Sequence, residues 1–175
     1  MSTAAGPTDG RDRAPFALTP LRRGLFDVCV TAEQIVLGMW KSLSDRDWES
    51  LKTYLSDDCL YVDMPMPAVS ARGPEDIVTR LKIGLESLSS YVNHDGLLLT
   101  NGADVVYEHS ETWVWPSGET VRLPFVTVHR VEDGKITLWK DYSDFNTLLS
   151  AAPPSYTEGL ASVDTSWVYD ASHLV

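Results

Sequence analysis

The chain has 175 residues and carries 14 Lys and Arg against 25 Asp and Glu, a formal net charge of −11. That length fits one domain with a tail or two and is enough to bury a sizeable core. The acidic balance argues against nucleic acid or an anionic membrane as partner, because both attract basic surfaces.

Residues 1–24, rich in Ala, Gly, Pro, Asp and Arg, read as a flexible N-terminal tail ahead of a single domain over 25–150. The tail has no apolar stretch of the signal-peptide kind, and no later run is long enough to span a bilayer. Helical periodicity places Ala32, Ile35, Val36, Met39, Trp40 and Leu43 on one face, with Thr31 as N-cap. Ser44-Asp45-Arg46-Asp47 interrupts it and starts a shorter helix carrying Trp48, Leu51, Tyr54 and Leu55. A strand from Cys59 to Met64 is stopped by Pro65 and Pro67. Gly73-Pro74-Glu75-Asp76 opens a helix whose buried stripe is Ile77, Leu81, Leu85 and Leu88, with proline at the first position and acids at the positive end of the dipole. Four strands are predicted next, at roughly 91–100, 103–115, 120–132 and 135–145, punctuated by Asn101-Gly102, Pro116-Ser117-Gly118 and Asp133-Gly134. Residues 151–175 read as an irregular C-terminal extension with a few aromatics, Tyr156, Trp167 and Tyr169 among them. The order predicts an α+β fold, a curved antiparallel sheet wrapped around about three helices as a cone-shaped, cystatin-like barrel.

Carboxylates interrupt the apolar pattern of three of these strands. Asp63 follows Tyr61-Val62, Asp141 follows Trp139-Lys140, and Glu111 lies in Tyr107-Glu108-His109-Ser110-Glu111-Thr112-Trp113. An ionised carboxylate in an apolar interior costs several kcal/mol unless paired or hydrogen-bonded, so each needs a reason to be there. Period-two alternation puts Tyr107, His109, Glu111, Trp113 and Trp115 on one face of their strand, Trp139, Asp141 and Ser143 on one face of the last, and Tyr61 with Asp63 on one face of the first. Aromatic and ionisable side chains mixed on one face are what a small-molecule pocket presents. His94, Asp95 and His129 read as structural or solvated.

Tyr61-Val62-Asp63-Met64-Pro65, the block Val121 to Val128, Asp133-Gly134-Lys135-Ile136 and Trp139-Lys140-Asp141-Tyr142 together resemble the nuclear transport factor 2-like (SnoaL-like) superfamily over roughly residues 28–148. The nearest likeness is to limonene-1,2-epoxide hydrolase-like enzymes. In those an Asp on the last strand activates water, a Tyr and an Asn help to hold it, a second Asp protonates the epoxide oxygen and an Arg bridges the two acids. The resemblance assigns Asp141 to the water-activating Asp and Tyr61 to the Tyr. Asp63 stands where Asn is expected, and His109-Ser110-Glu111 stands where the Arg-x-Asp pair is expected, which reads as loss of the bridging cation. It also implies a homodimer formed through the convex face of the sheet.

A His paired with a carboxylate is a proton shuttle near neutral pH. These departures therefore shift the expectation from epoxide opening toward elimination or isomerisation by a cofactor-independent acid/base lyase acting on an apolar, aromatic small molecule. Epoxide hydrolysis and a non-catalytic ligand-binding module are the alternatives. The catalytic candidates are Asp141, His109, Tyr61, Glu111 and Asp63, with His109 as base or shuttle and Tyr61 as donor to a developing oxyanion. Trp113, Trp139, Tyr107, Trp40 and Phe125 are the candidate substrate-binding residues. No metal is expected, since the four histidines lack ligand spacing, and no GxSxG elbow or glycine-rich phosphate loop occurs. Cys29 and Cys59, isolated and without CxxC spacing, fit reduced thiols of a cytoplasmic protein.

Overall fold

A computed structural model describes residues 30–175, so the expectations for the tail and for Cys29 fall outside the described residues. Helix α1 (Ala32–Ser44) begins at Thr31, whose hydroxyl accepts from the Gln34 amide while the Gln34 side chain accepts from the Thr31 amide. This reciprocal cap satisfies two amides that a helix start leaves orphaned. The helix buries Ile35, Val36, Met39, Trp40 and Leu43, the stripe its sequence predicts. Helix α2 (Trp48–Lys52) is shorter than expected. Its last turn tightens at Thr53, whose hydroxyl donates to the Ser50 carbonyl, and the Ile136 amide takes the Tyr54 carbonyl at 2.8 Å. That bond recruits Leu55 into the sheet, so β1 runs Leu55–Asp63 with an irregularity before Leu60.

A short 3-10 turn (Pro67–Val69) and β2 (Ser70–Arg72) come next, then α3 (Pro74–Leu85), which starts at Gly73 with φ of 83°, a left-handed conformation that glycine adopts freely. The strands β3 (Ser90–Asn101), β4 (Asp104–Val114), β5 (Thr120–Glu132) and β6 (Lys135–Ser143) follow, the last ending where Asp144 caps α4 (Phe145–Ala151). The extension predicted to be irregular holds a second short helix, α5 (Pro154–Leu160), and β7 (Val168–Tyr169). Proline at the helix start and local hydrogen bonds from Thr157 and Ser162 support α5, signals too short-range for hydrophobic periodicity to reveal.

The seven strands form one curved sheet in the order β3-β4-β5-β6-β1-β2-β7. All neighbours are antiparallel except β1 and β6, which run parallel and set Tyr61 beside Trp139 and Asp63 beside Asp141. The antiparallel pairing of β4 with β5 sets Glu111 beside Leu123 and His109 beside Phe125. Helices α1 and α3 cover the concave face, and the core lies between them and the sheet. On the opposite face Val92, Leu99, Val126 and Tyr142 are exposed. Among the described residues no helix is long and apolar enough to cross a membrane.

The β3–β4 ladder shifts register between Asp95 and Leu98, and Gly96 sits in the shift. A Cβ there would lie 2.3 Å from the Glu108 carbonyl oxygen, which is backbone and cannot swing away. Gly96→Ala is expected to cost about 1–3 kcal/mol, the scale of an added carbon that forces a backbone shift. Urea denaturation would measure it, and an unchanged midpoint would show that the bulge can relax.

Candidate functional site

The concave face encloses an apolar cavity of about 260 Å³ whose wall includes Tyr61, Asp63, Arg80, Glu111 and Asp141. Trp40, Trp113, Phe125 and Trp139, all candidate substrate-binding residues, also line it. Tyr107 does not. Its ring is buried behind the wall and its hydroxyl donates to Asp95 at 2.6 Å, near the shift in the β3–β4 ladder.

Asp141 is buried at 6% exposure, and each of its oxygens accepts one hydrogen bond. Tyr61 donates to Oδ2 at 2.9 Å from the parallel neighbour β1, and the Trp139 indole donates to Oδ1 at 2.5 Å from two residues earlier on β6. Burial, and then the neighbouring Asp63 charge, push the Asp141 carboxyl well above the usual range, and these two donors only partly oppose them. The Tyr61 phenol is pushed up as well, by burial and then by Asp141, so it stays a donor.

Glu111 is built on the same plan. The Trp113 indole, two residues on along β4, donates to Oε2 at 2.8 Å, and the Tyr91 hydroxyl donates to Oε1 at 2.7 Å from β3. His109 Nε2 lies 3.3 Å from Oε1. In Glu111-x-Trp113 and Trp139-x-Asp141 the strand period of two brings each indole N–H onto the face of its carboxylate. The tryptophans are thus partners of the acids as well as walls.

The expected loss of a cation is corrected. Arg80 of α3 reaches the cavity and pairs through Nη2 with Asp63 Oδ2 at 2.5 Å. Burial raises the Asp63 carboxyl, and the Arg80 charge opposes that rise. Arg80 Nε is buried without a hydrogen-bond partner among the described residues. The guanidinium comes from a helix, not from the strand position His109 occupies, which is why a strand-by-strand reading missed it. The signal was present in α3: Arg80 borders the buried stripe between Ile77 and Leu81.

His109 has no side-chain exposure and does not line the cavity. Its ring lies between Tyr107 (4.6 Å, stacked) and Phe125 (5.4 Å, stacked), with Trp40 edge-on at 4.4 Å. Further back His129 is fully buried, accepts from the Trp40 indole at 3.2 Å and is pushed down to about 3 by burial and by His109, so it is a neutral structural residue. Buried Cys59, its thiol pushed up to about 12 by burial, is inert as a nucleophile. Among the described residues no group of three or more His, Cys, Asp or Glu is arranged to hold a metal ion.

The profile of the limonene-1,2-epoxide hydrolase catalytic domain family matches residues 30–154. Solved structures share the fold at low identity. A candidate SnoaL-like polyketide cyclase from Shewanella denitrificans is 19% identical with a TM-score of 0.62, over 69% of this chain and 95% of that one. An LEH-like epoxide hydrolase from M. tuberculosis is 23% identical with a TM-score of 0.59, over 75% of this chain and 92% of that one. A candidate polyketide cyclase from Pseudomonas putida is 16% identical with a TM-score of 0.63, over 70% of this chain and 98% of that one.

The raised Asp141 carboxyl has a signed effect on stability. In the unfolded chain it ionises in the ordinary range, about pH 4, whereas the fold keeps the proton to higher pH. The folded state binds the extra proton over that interval, so stability is lost as pH rises from the ordinary range through the raised value. Asp141→Asn removes this titration. Between about pH 5 and about pH 8 its melting temperature is expected to fall less than that of the parent chain. Scanning calorimetry at the two pH values checks this, and an equal or steeper fall in the variant would contradict it.

Proposed function

Because this chain belongs to the limonene-1,2-epoxide hydrolase catalytic domain family, we propose that it opens an epoxide on a mostly apolar small molecule by adding water, with Asp141 and Glu111 as the acid/base pair. One observation carries this reading: two buried carboxylates from β6 and β4 line a single apolar cavity, each held by a tyrosine hydroxyl and an indole N–H. The Glu111 charge is one of the influences that raise the Asp141 carboxyl, because two carboxylates in one desolvated space disfavour ionisation.

Such a pair suits ring opening. The ionised member takes a proton from water as the water oxygen bonds to a ring carbon. The protonated member gives its proton to the ring oxygen as the carbon–oxygen bond breaks. The product is a diol, and the proton has crossed from one carboxyl to the other, so return of a proton between them restores the start. No redox step is involved. By family resemblance Asp141, once it has given up the proton that its burial favours, activates the water with Tyr61 beside it, and Glu111 is the partner acid. Asp63 and Arg80 form an ion pair in the cavity wall, with Arg80 as the cation within the acidic cluster. His109, without access to the cavity, positions Glu111 from behind instead of shuttling protons to substrate.

A second reading, elimination or isomerisation of an aromatic substrate, is favoured by the raised Asp141 carboxyl, a poised proton carrier, and by the indoles of Trp113, Trp139 and Trp167 in the wall. A purely ligand-binding role would leave the acid pair without work.

Incubation with styrene oxide or limonene oxide in ¹⁸O-labelled water tests the proposal. Hydrolysis puts one labelled oxygen in a diol. A product without solvent oxygen, or with solvent hydrogen exchanged into a carbon–hydrogen bond, favours the second reading. Asp141→Asn and Glu111→Gln are each expected to lower turnover by about 10²–10⁴-fold, the usual worth of a positioned proton-transfer group. His109→Phe, which keeps a ring between Tyr107 and Phe125, is expected to retain turnover within about tenfold. A loss as deep as that of Asp141→Asn would restore His109 as a proton carrier.

A further inference from the structure

The family match stops at residue 154, yet Tyr156, Leu160, Val163, Thr165 and Trp167 line the cavity. The segment they occupy is fixed at its two ends. At the first, the Ala152 amide donates to the Leu148 carbonyl as α4 closes. At the second, β7 pairs with β2 through Ala71 and Val168, Trp167 is buried, and the Ala171 amide donates to the Pro67 carbonyl at 2.9 Å. Between these anchors the backbone bonds among the described residues are local, such as Tyr156 to Pro153, Ala161 to Glu158 and Ser162 to Gly159.

Residues 154–166 therefore meet the rest of the domain through side chains. The Tyr156 ring packs edge-on against Trp115 at 5.5 Å, and its hydroxyl reaches over α3, where a Cβ on Gly84 would come within 3.9 Å of it. A wall without backbone bonds to the sheet can change shape while the strands that hold Asp141 and Glu111 stay in register. It also lines the cavity with apolar groups, Leu160 and Val163, and so offers the part of a substrate that does not react a hydrocarbon surface.

We propose that residues 154–167 are the specificity-determining wall of the cavity, selecting substrates by the size and shape of their apolar body, an alkyl- or ring-bearing one. The proposal rests on the reading that this cavity receives the substrate. A methylene-sized change in an apolar pocket alters discrimination by roughly 10–200-fold. Leu160→Ala, in the full chain, is therefore expected to raise the ratio of kcat/KM for trans-stilbene oxide over that for cyclohexene oxide by about tenfold or more. Val163→Ala should shift the same ratio in the same direction, which guards against one variant failing to fold.

Binding of the apolar fluorophore N-phenyl-1-naphthylamine gives a readout independent of chemistry, with its Kd expected to change about threefold or more in both variants. If neither epoxide is turned over but the Kd shifts, the wall stands and the hydrolase reading fails. If both epoxides are turned over with an unchanged ratio and Kd in variants that melt like the parent chain, the wall is overturned and hydrolysis stands. Failure of the parent chain both to bind the fluorophore and to turn over either epoxide would overturn the wall as well.

Discussion

A carboxylate buried among tryptophans and leucines is tolerated only when its lone pairs are occupied, and this fold contains three such groups within reach of one another. Asp141, Glu111 and Asp63 would each cost several kcal/mol if left unpaired. The strands answer this locally: Trp139 and Trp113 sit two residues from the acids they serve, and Tyr61 and Tyr91 reach across from neighbouring strands. Asp63 instead draws a guanidinium down from α3. The helix over the sheet therefore does more than cover the core. It carries the charge that lets the third carboxylate stay on the concave face.

This division leaves the acids in unlike surroundings. Asp63 has a full positive charge beside it, whereas Asp141 has only neutral donors and a like charge across the β1–β6 ladder. Neutral donors stabilise an ionised carboxylate less than a guanidinium does. Environment, more than residue type, thus sets how firmly each carboxyl holds its proton.

Much of this was legible in the sequence. Thr31, Gly73-Pro74 and the period-two faces of β4 and β6 are local signals, and the structure reproduces the helix starts and buried faces they imply. Bringing Tyr61, Glu111 and Asp141 to one cavity followed from those faces and the fold resemblance. What was hidden depended on relations between elements. The pairing of Arg80 with Asp63 depends on α3 packing against β1, which the α3 stripe alone does not reveal, and the burial of His109 behind the wall requires the stacking of Tyr107 and Phe125. β7 has only two residues and exists because β2 offers it an edge, so no pattern in its own sequence announces it.

The parallel pairing of β1 with β6 joins residues about eighty positions apart, as in the bond from Tyr61 to Asp141. Contacts of such separation incur a large loop-closure entropy and form late along a folding path. The acids therefore meet only once nearly the whole domain has assembled. A partly folded chain has the residues of the cavity but not the cavity. Any ligand that fills it binds the completed fold alone and shifts the unfolding equilibrium by mass action, so occupancy and structural integrity become two measures of one state.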